Sequence, residues 1–160
     1  MRLFTRFAAV AAPLVFCACH HDSPSEPASV PNLVTNGSFS AAIEGTGWSA
    51  MGNVTVDKRE DNVTVRAVST TYNITLNLGH ATTVGDYPLI VTPILGPSAS
   101  VMDASGARWS TGAIGATGLV TITTLTGSRI AGTFAFAGLS LAGGAASLMH
   151  VTRGAFDVTY

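Results

Sequence analysis

TGLVTITTLTGSRIAGTFAFAG, residues 117 to 138, is the stretch whose spacing decides the fold. Val120 and Ile122 alternate with Thr121 and Thr123, Gly127-Ser128 interrupt the run, and Ile130, Phe134 and Phe136 follow. A period of two puts every second side chain on one face, which a strand can bury and a helix cannot. Two such runs around a glycine-containing break form an antiparallel hairpin. Gly132 falls on the inward face between Ile130 and Phe134. A missing side chain there makes room for an aromatic ring on a neighbouring strand, or allows a bulge.

The same period recurs outward from this hairpin. Tyr72, Ile74, Leu76 and Leu78 alternate with Thr71, Asn73, Thr75 and Asn77. Phe39, Ala41 and Ile43 run into Gly45-Thr46-Gly47 before Trp48. Val54 and Val56, then Val63, Val65 and Ala67, flank the charged segment Asp57 to Asn62, which reads as a hairpin turn. At the C-terminus Phe156, Val158 and Tyr160 share one face, Asp157 and Thr159 point away, and Gly154 is placed to serve as Gly132 does. The Ala-rich piece from Leu139 to Met149 reads as a loop, because Gly143-Gly144 disfavours a helix. Charged residues make up 11% of the chain, and Thr and Val abound, as strands require. The expected fold is all-β: an antiparallel β-sandwich or a small closed β-barrel, the choice resting on how the first and last strands pair. Its inward set is Ile74, Leu76, Val120, Ile122, Ile130, Phe134, Phe136, Phe156 and Val158.

The N-terminus, MRLFTRFAAVAAPLVFCACHHDSPSEP, has a different composition. Arg2 and Arg6 precede an uncharged apolar run from Phe7 to Ala18, too short to cross a bilayer as a helix and built like a cleaved secretory signal. A cysteine closing that run resembles the lipobox of bacterial lipoproteins, in which the thiol is lipidated. Cys19 follows the small Ala18 and is the expected lipid-bearing residue; Cys17 follows bulky Phe16 and fits less well. The competing reading is a plain signal cut near Ala18, and a Cys17–Cys19 disulfide is disfavoured by its geometry. Residues 19–36, rich in Pro and Ser, read as a flexible tether, and residues 37–160 as one all-β domain after the signal peptide of residues 1–18. With His20 rather than Asp after Cys19, the expected location is the bacterial cell envelope, anchored by lipid at the outer membrane.

A second resemblance rests on the hairpin itself and on VTRGAFDVTY, residues 151–160. Together they resemble the C-terminal signature of a bacterial lipoprotein family of unknown function: a G-x-V-x-I-T strand, then R-I-x-G-T-F-x-F, then a closing G-x-F strand. The matching positions are Gly118, Val120, Ile122, Thr123, Arg129, Ile130, Gly132, Thr133, Phe134, Phe136, Val151, Thr152, Gly154 and Phe156. That family often carries x-D-G-x-x-W-x-A nearer its N-terminus, where this chain has Glu44-Gly45-Thr46-Gly47-Trp48-Ser49-Ala50, with Glu replacing Asp. The resemblance implies an all-β domain on a lipid anchor and brings no catalytic residue with it.

Composition narrows the function. Removing residues 1–18 takes two of the eight basic residues and leaves six against nine acidic ones, a net charge of −3. Nucleic acid is therefore an unsuitable partner, since phosphate binding needs clustered Lys and Arg. Lys58-Arg59 is the basic pair of the domain, and Glu60-Asp61 neutralises it. His20 and His21 are adjacent in the tether and form no closed metal shell. Gly138-Leu139-Ser140-Leu141-Ala142 lacks the last glycine of a nucleophile elbow. Gly112, Gly115 and Gly118 are spaced by threes, unlike a phosphate loop. His80 and His150, with Asp86 and Asp103 as partners, make the best acid–base set, and a weak one. Asn-x-Ser/Thr triplets at Asn36, Asn53, Asn62 and Asn73 read as products of Thr-rich strands rather than glycosylation sites. No catalytic residue, cofactor or metal is expected. The expected role is non-enzymatic binding of a protein or glycan, or a structural one, with a small apolar-ligand carrier as the alternative. An outer-membrane barrel fits less well, because its strands need about 9–11 residues.

Overall fold

The computed structural model describes residues 34, 35, 37–59, 62–90, 96–140 and 147–160. Twelve strands account for its regular structure: β1 (Val34–Thr35), β2 (Gly37–Ile43), β3 (Thr46–Ser49), β4 (Val54–Arg59), β5 (Asn62–Val68), β6 (Tyr72–Asn77), β7 (Gly85–Pro88), β8 (Ser98–Asp103), β9 (Arg108–Ser110), β10 (Thr117–Leu125), β11 (Arg129–Ser140) and β12 (Leu148–Thr159). All pair antiparallel in one curled sheet that forms a half-barrel.

β11 is the hub. β12 pairs along one edge, from Arg129↔Thr159 to Leu139↔Leu148. The other edge is shared, with β10 opposite residues 130–137 and β9 opposite Leu139 and Ser140. From β9 the sheet continues through β8, β6, β5 and β4 to β1; from β12 it continues through β2 to β3. The open question of the first and last strands is answered by β2, which pairs with β12 and sets Phe39 opposite Phe156. One residue earlier in the chain β1 pairs with β4, so a nearly continuous stretch joins both arms of the sheet and curls it. The folded part thus starts before residue 37: Val34 and Thr35, expected in the tether, are strand. They are β-formers with a ladder edge to bind, and pairing overrides the polar context of the linker. The remaining residues of the signal and tether, Cys17 and Cys19 included, lie outside the described residues.

The inward set is buried at every expected position, with Ile74, Leu76, Val120, Ile130 and Val158 fully so. The charged segment Asp57 to Asn62 contributes more strand than expected, since Arg59 pairs with Asn62 across a two-residue connection. Leu139 to Met149 does so as well, because its ends belong to β11 and β12. The β2–β3 turn is Glu44-Gly45, with φ of 48° and 78°. Two positive φ values in a two-residue loop are the type I′ hairpin, whose twist matches that of the strands.

Four phenylalanines fill the core beneath β2, β11 and β12. Phe39 lies 4.9 Å from Phe134 and 6.2 Å from Phe156 by ring centroids, and Phe134 lies 6.4 Å from Phe136. Trp48 meets Phe39 edge-on at 6.0 Å and donates its Nε1–H to Ser69 Oγ at 2.8 Å. The rings fit because glycines stand opposite them: Gly154 faces Phe134 and Gly132 faces Phe156. A Cβ on Gly154 would come 2.5 Å from the Phe134 ring, and one on Gly132 would come 2.2 Å from the Thr121 carbonyl oxygen. β12 also carries one residue more than either neighbour around Thr152-Arg153, with Arg153 at φ 51°. This bulge shifts the alternation by one, so that Met149 and Val151 before it and Gly154, Phe156 and Val158 after it all face inward.

Phe134→Ala is expected to cost about 3–5 kcal/mol, as removal of a buried ring does, read as a fall in midpoint in denaturant unfolding. Gly154→Ala is expected to destabilise the wild type strongly and the Phe134→Ala background much less, because the atoms it strikes are then gone. Equal costs in the two backgrounds would refute the proposed steric pairing.

Candidate functional site

Of the acid–base set proposed from sequence, the two aspartates are engaged in structural hydrogen bonds. Asp103 folds its carboxylate back on its own turn, accepting from Ser105 Oγ at 2.6 Å, Ser105 N at 2.9 Å and Ala107 N at 3.0 Å. The Ser105 hydroxyl first, and the backbone amides behind it, hold its carboxyl below the ordinary carboxylate value. Asp86 lies on β7 and accepts the Thr121 hydroxyl at 2.6 Å. His150 is in mid-strand on β12, its backbone paired with the β2–β3 turn: Glu44 N donates to its carbonyl at 2.9 Å and Glu44 Oε1 accepts its N–H. His80 follows β6 and lines an open groove of about 370 Å³ with Lys58, Arg59, Asn62 and Gly127; Asp86 is not part of that wall. Ser140 sits in the β11 ladder opposite Trp109, not on the strand-to-helix turn of a nucleophile elbow. Among the described residues no three His, Cys, Asp or Glu side chains gather as a metal ion would need.

Charges on the outside include pairs formed between near neighbours. Arg59 Nε donates to both oxygens of Asp57, at 3.1 and 3.4 Å. Lys58 Nζ lies 5.7 Å from the Tyr160 ring centroid. Arg129 grips Asp157 through two hydrogen bonds of 2.8 and 2.6 Å across β11 and β12. Those bonds hold the Asp157 carboxyl below its usual 3.8 and push the Arg129 guanidinium up.

A site of another kind appears on the outer face of β5, β6, β8 and β9. Period two sends Val63, Val65, Ile74, Leu76, Ala99 and Val101 inward. The alternate positions form polar rows across the strands. One row runs Asp57–Thr64–Asn77–Ser98, and the next Thr55–Arg66–Thr75–Ser100–Ser110. A depression of about 240 Å³ opens where the rows meet, walled by Thr64, Thr75, Asn77, Ser98, Ser100, Arg108 and Ser110. Ser100 forms its floor at 8% exposure, and Arg108 Nη2 donates to its Oγ at 3.2 Å. Sequence reasoning searched for titratable groups and passed over this face. A third depression, about 420 Å³ and open, lies outside β10–β12 between Leu119, Thr133, Ala135 and Arg153.

The chain matches the family described as a domain of unknown function (DUF6252) over residues 35–158, and it belongs to that family. No curated protein and no solved structure matches it. The matched span begins within β1 and ends within β12.

The Arg129–Asp157 pair sets a pH dependence with a defined sign. A carboxyl whose folded pKa is depressed adds stability above its unfolded value, and that stability disappears as pH falls through the folded value. Asp157→Asn is therefore expected to lower the melting temperature modestly at neutral pH, as removal of an exposed pair does. The gap to wild type is expected to close as pH falls below about 4, the ordinary carboxylate range, in thermal melts run across that range.

Proposed function

We propose that this chain is a lipid-anchored protein of the bacterial cell envelope, held at the outer membrane by an acylated Cys19, whose domain binds a partner through its exterior and catalyses no reaction. The observation that carries the binding half is how the two faces of the sheet are used. The interior beneath β2, β11 and β12 is taken up by the protein's own rings, with Phe39 fully buried against Phe134, so a ligand there would have to displace the core. The exterior instead presents contiguous rows of polar groups and an open depression. Supporting the non-enzymatic half, Asp103 and Asp86 are engaged in turn and cross-strand hydrogen bonds, and acid–base catalysis needs two titrating groups trained on one substrate. The anchoring half is supported by the order of charge, apolar run and cysteine at the N-terminus.

In a bacterial host, Cys19→Ser is expected to move the protein from the membrane to the soluble fraction and to abolish labelling by a fatty-acid analogue, whereas Cys17→Ser does neither. Labelling that survives Cys19→Ser and vanishes with Cys17→Ser would transfer the lipid to the other thiol. The purified protein is expected to turn over no common ester, peptide, phosphate or glycoside substrate. Turnover lost on His80→Ala with the circular dichroism unchanged would replace this reading with an enzymatic one.

A further inference from the structure

We propose that the outer depression of β5, β6, β8 and β9 is a binding site for a neutral polysaccharide chain. This inference rests on the reading of the domain as a binding module and names its ligand class. The walls are chemically uniform. Thr64, Thr75, Ser98 and Ser110 bring hydroxyls, the last already accepting from Gly112 N at 3.0 Å, Asn77 an amide whose NH2 donates while its Oδ1 accepts from Gly79 N at 3.0 Å, and Arg108 a guanidinium. No carboxylate and no large apolar side chain lines the depression. An apolar peptide would have to desolvate these groups without replacing their hydrogen bonds. A strong polyanion would find one guanidinium at the wall, part of whose capacity is spent on Ser100, and a second, Arg66, in the adjoining row, with Asp57 in the neighbouring row to oppose it. A polyol supplies what the site lacks, because each sugar hydroxyl can both donate and accept.

The spacing fits an extended chain rather than an isolated small molecule. Neighbouring strands lie about 4.8 Å apart, so each row offers one polar side chain per strand, at roughly the repeat of a sugar ring along a linear glycan. The Thr55–Arg66–Thr75–Ser100–Ser110 row crosses five strands, β4, β5, β6, β8 and β9, and so presents a track longer than the depression itself. Asn73 stands beside the track, two residues before Thr75 on the same face of β6, and its buried Oδ1 has no hydrogen-bond partner.

The test is affinity electrophoresis of the full-length protein in detergent, through native gels containing amylopectin, laminarin, xyloglucan or galactomannan. The expected result is retardation by at least one of these polymers that persists at high salt. Thr75→Val, which removes a hydroxyl at constant shape, and Asn77→Leu are each expected to weaken retention about tenfold, the equivalent of roughly 1.4 kcal/mol for a bond left unmet. Thr133→Val, on the outer face of β11, is the control and is expected to bind as wild type does. Retardation by none of the polymers overturns the proposal, as does undiminished retention in both site variants with melting curves like wild type. Retention only by a sulfated polymer such as dextran sulfate, lost on adding salt, also overturns it and assigns the face to charge. Cys19 plays no part in these gels, so a failed anchor and a failed glycan site give separate results.

Discussion

The reciprocal pairing of glycine and phenylalanine across β11 and β12 is the constraint on which the rest of the domain depends. Gly132 faces Phe156 and Gly154 faces Phe134, so each ring lies over the backbone of the opposite strand. A sheet curls tightly only where side chains on its concave face are removed or a bulge shortens the path. β12 uses both devices within three residues, the Thr152-Arg153 bulge and then Gly154. With the hub strands bent and their rings laid flat, Phe39 from β2 can enter the same cluster. Pairing of β2 with β12 then follows from the core rather than from any special turn.

The inward face was legible because its signal is local. Tyr72 to Leu78, Val120 to Phe136 and Phe156 to Tyr160 each carry their period of two within a few residues, and the glycines stand out against it. β7, β8 and β9 were not legible. Ser98-Ala99-Ser100 has one apolar residue between two serines, and β9 has three residues, so neither offers enough apolar contrast to register as a strand. Their partners supply the missing instruction: Ile74 and Leu76 on β6 leave an edge that Val101 and Ala99 complete. β1 is a strand for the same reason, since an open β4 edge stands beside Val34 and Thr35. Topology at these places is decided by contacts distant in sequence, which no short window contains.

The candidate site was hidden for a related reason. Its groups come from four strands, and none of them is a His, Cys, Asp, Glu or Lys. Yet part of its signal was present in the Asn-x-Thr triplets. Asn62-Val63-Thr64 and Asn73-Ile74-Thr75 each place two polar groups on the outer face around one buried apolar residue. Read as sequons they mean little; read as strands they are steps of the polar rows. The histidines and aspartates, conspicuous in the sequence, turn out to be spread over separate turns and ladders.

The outer face also carries a cost that stability alone does not explain. Asn62 Oδ1 and Asn73 Oδ1 are both buried without a hydrogen-bond donor, and each such acceptor costs about 1–3 kcal/mol. Threonine or valine at either position would keep the strand, suit the pleat better and leave no orphaned carbonyl. The inward face shows the opposite tendency, with glycines placed where a single methyl would collide. One face of the same strands is thus fitted to its neighbours atom by atom, while the other holds polar groups that its neighbours do not satisfy. Local departures of this kind gather where a protein meets something other than itself: Asn73 stands two residues from Thr75 in the wall of the polar depression, and Asn62 two residues from Thr64 there, while itself lining the groove beside His80.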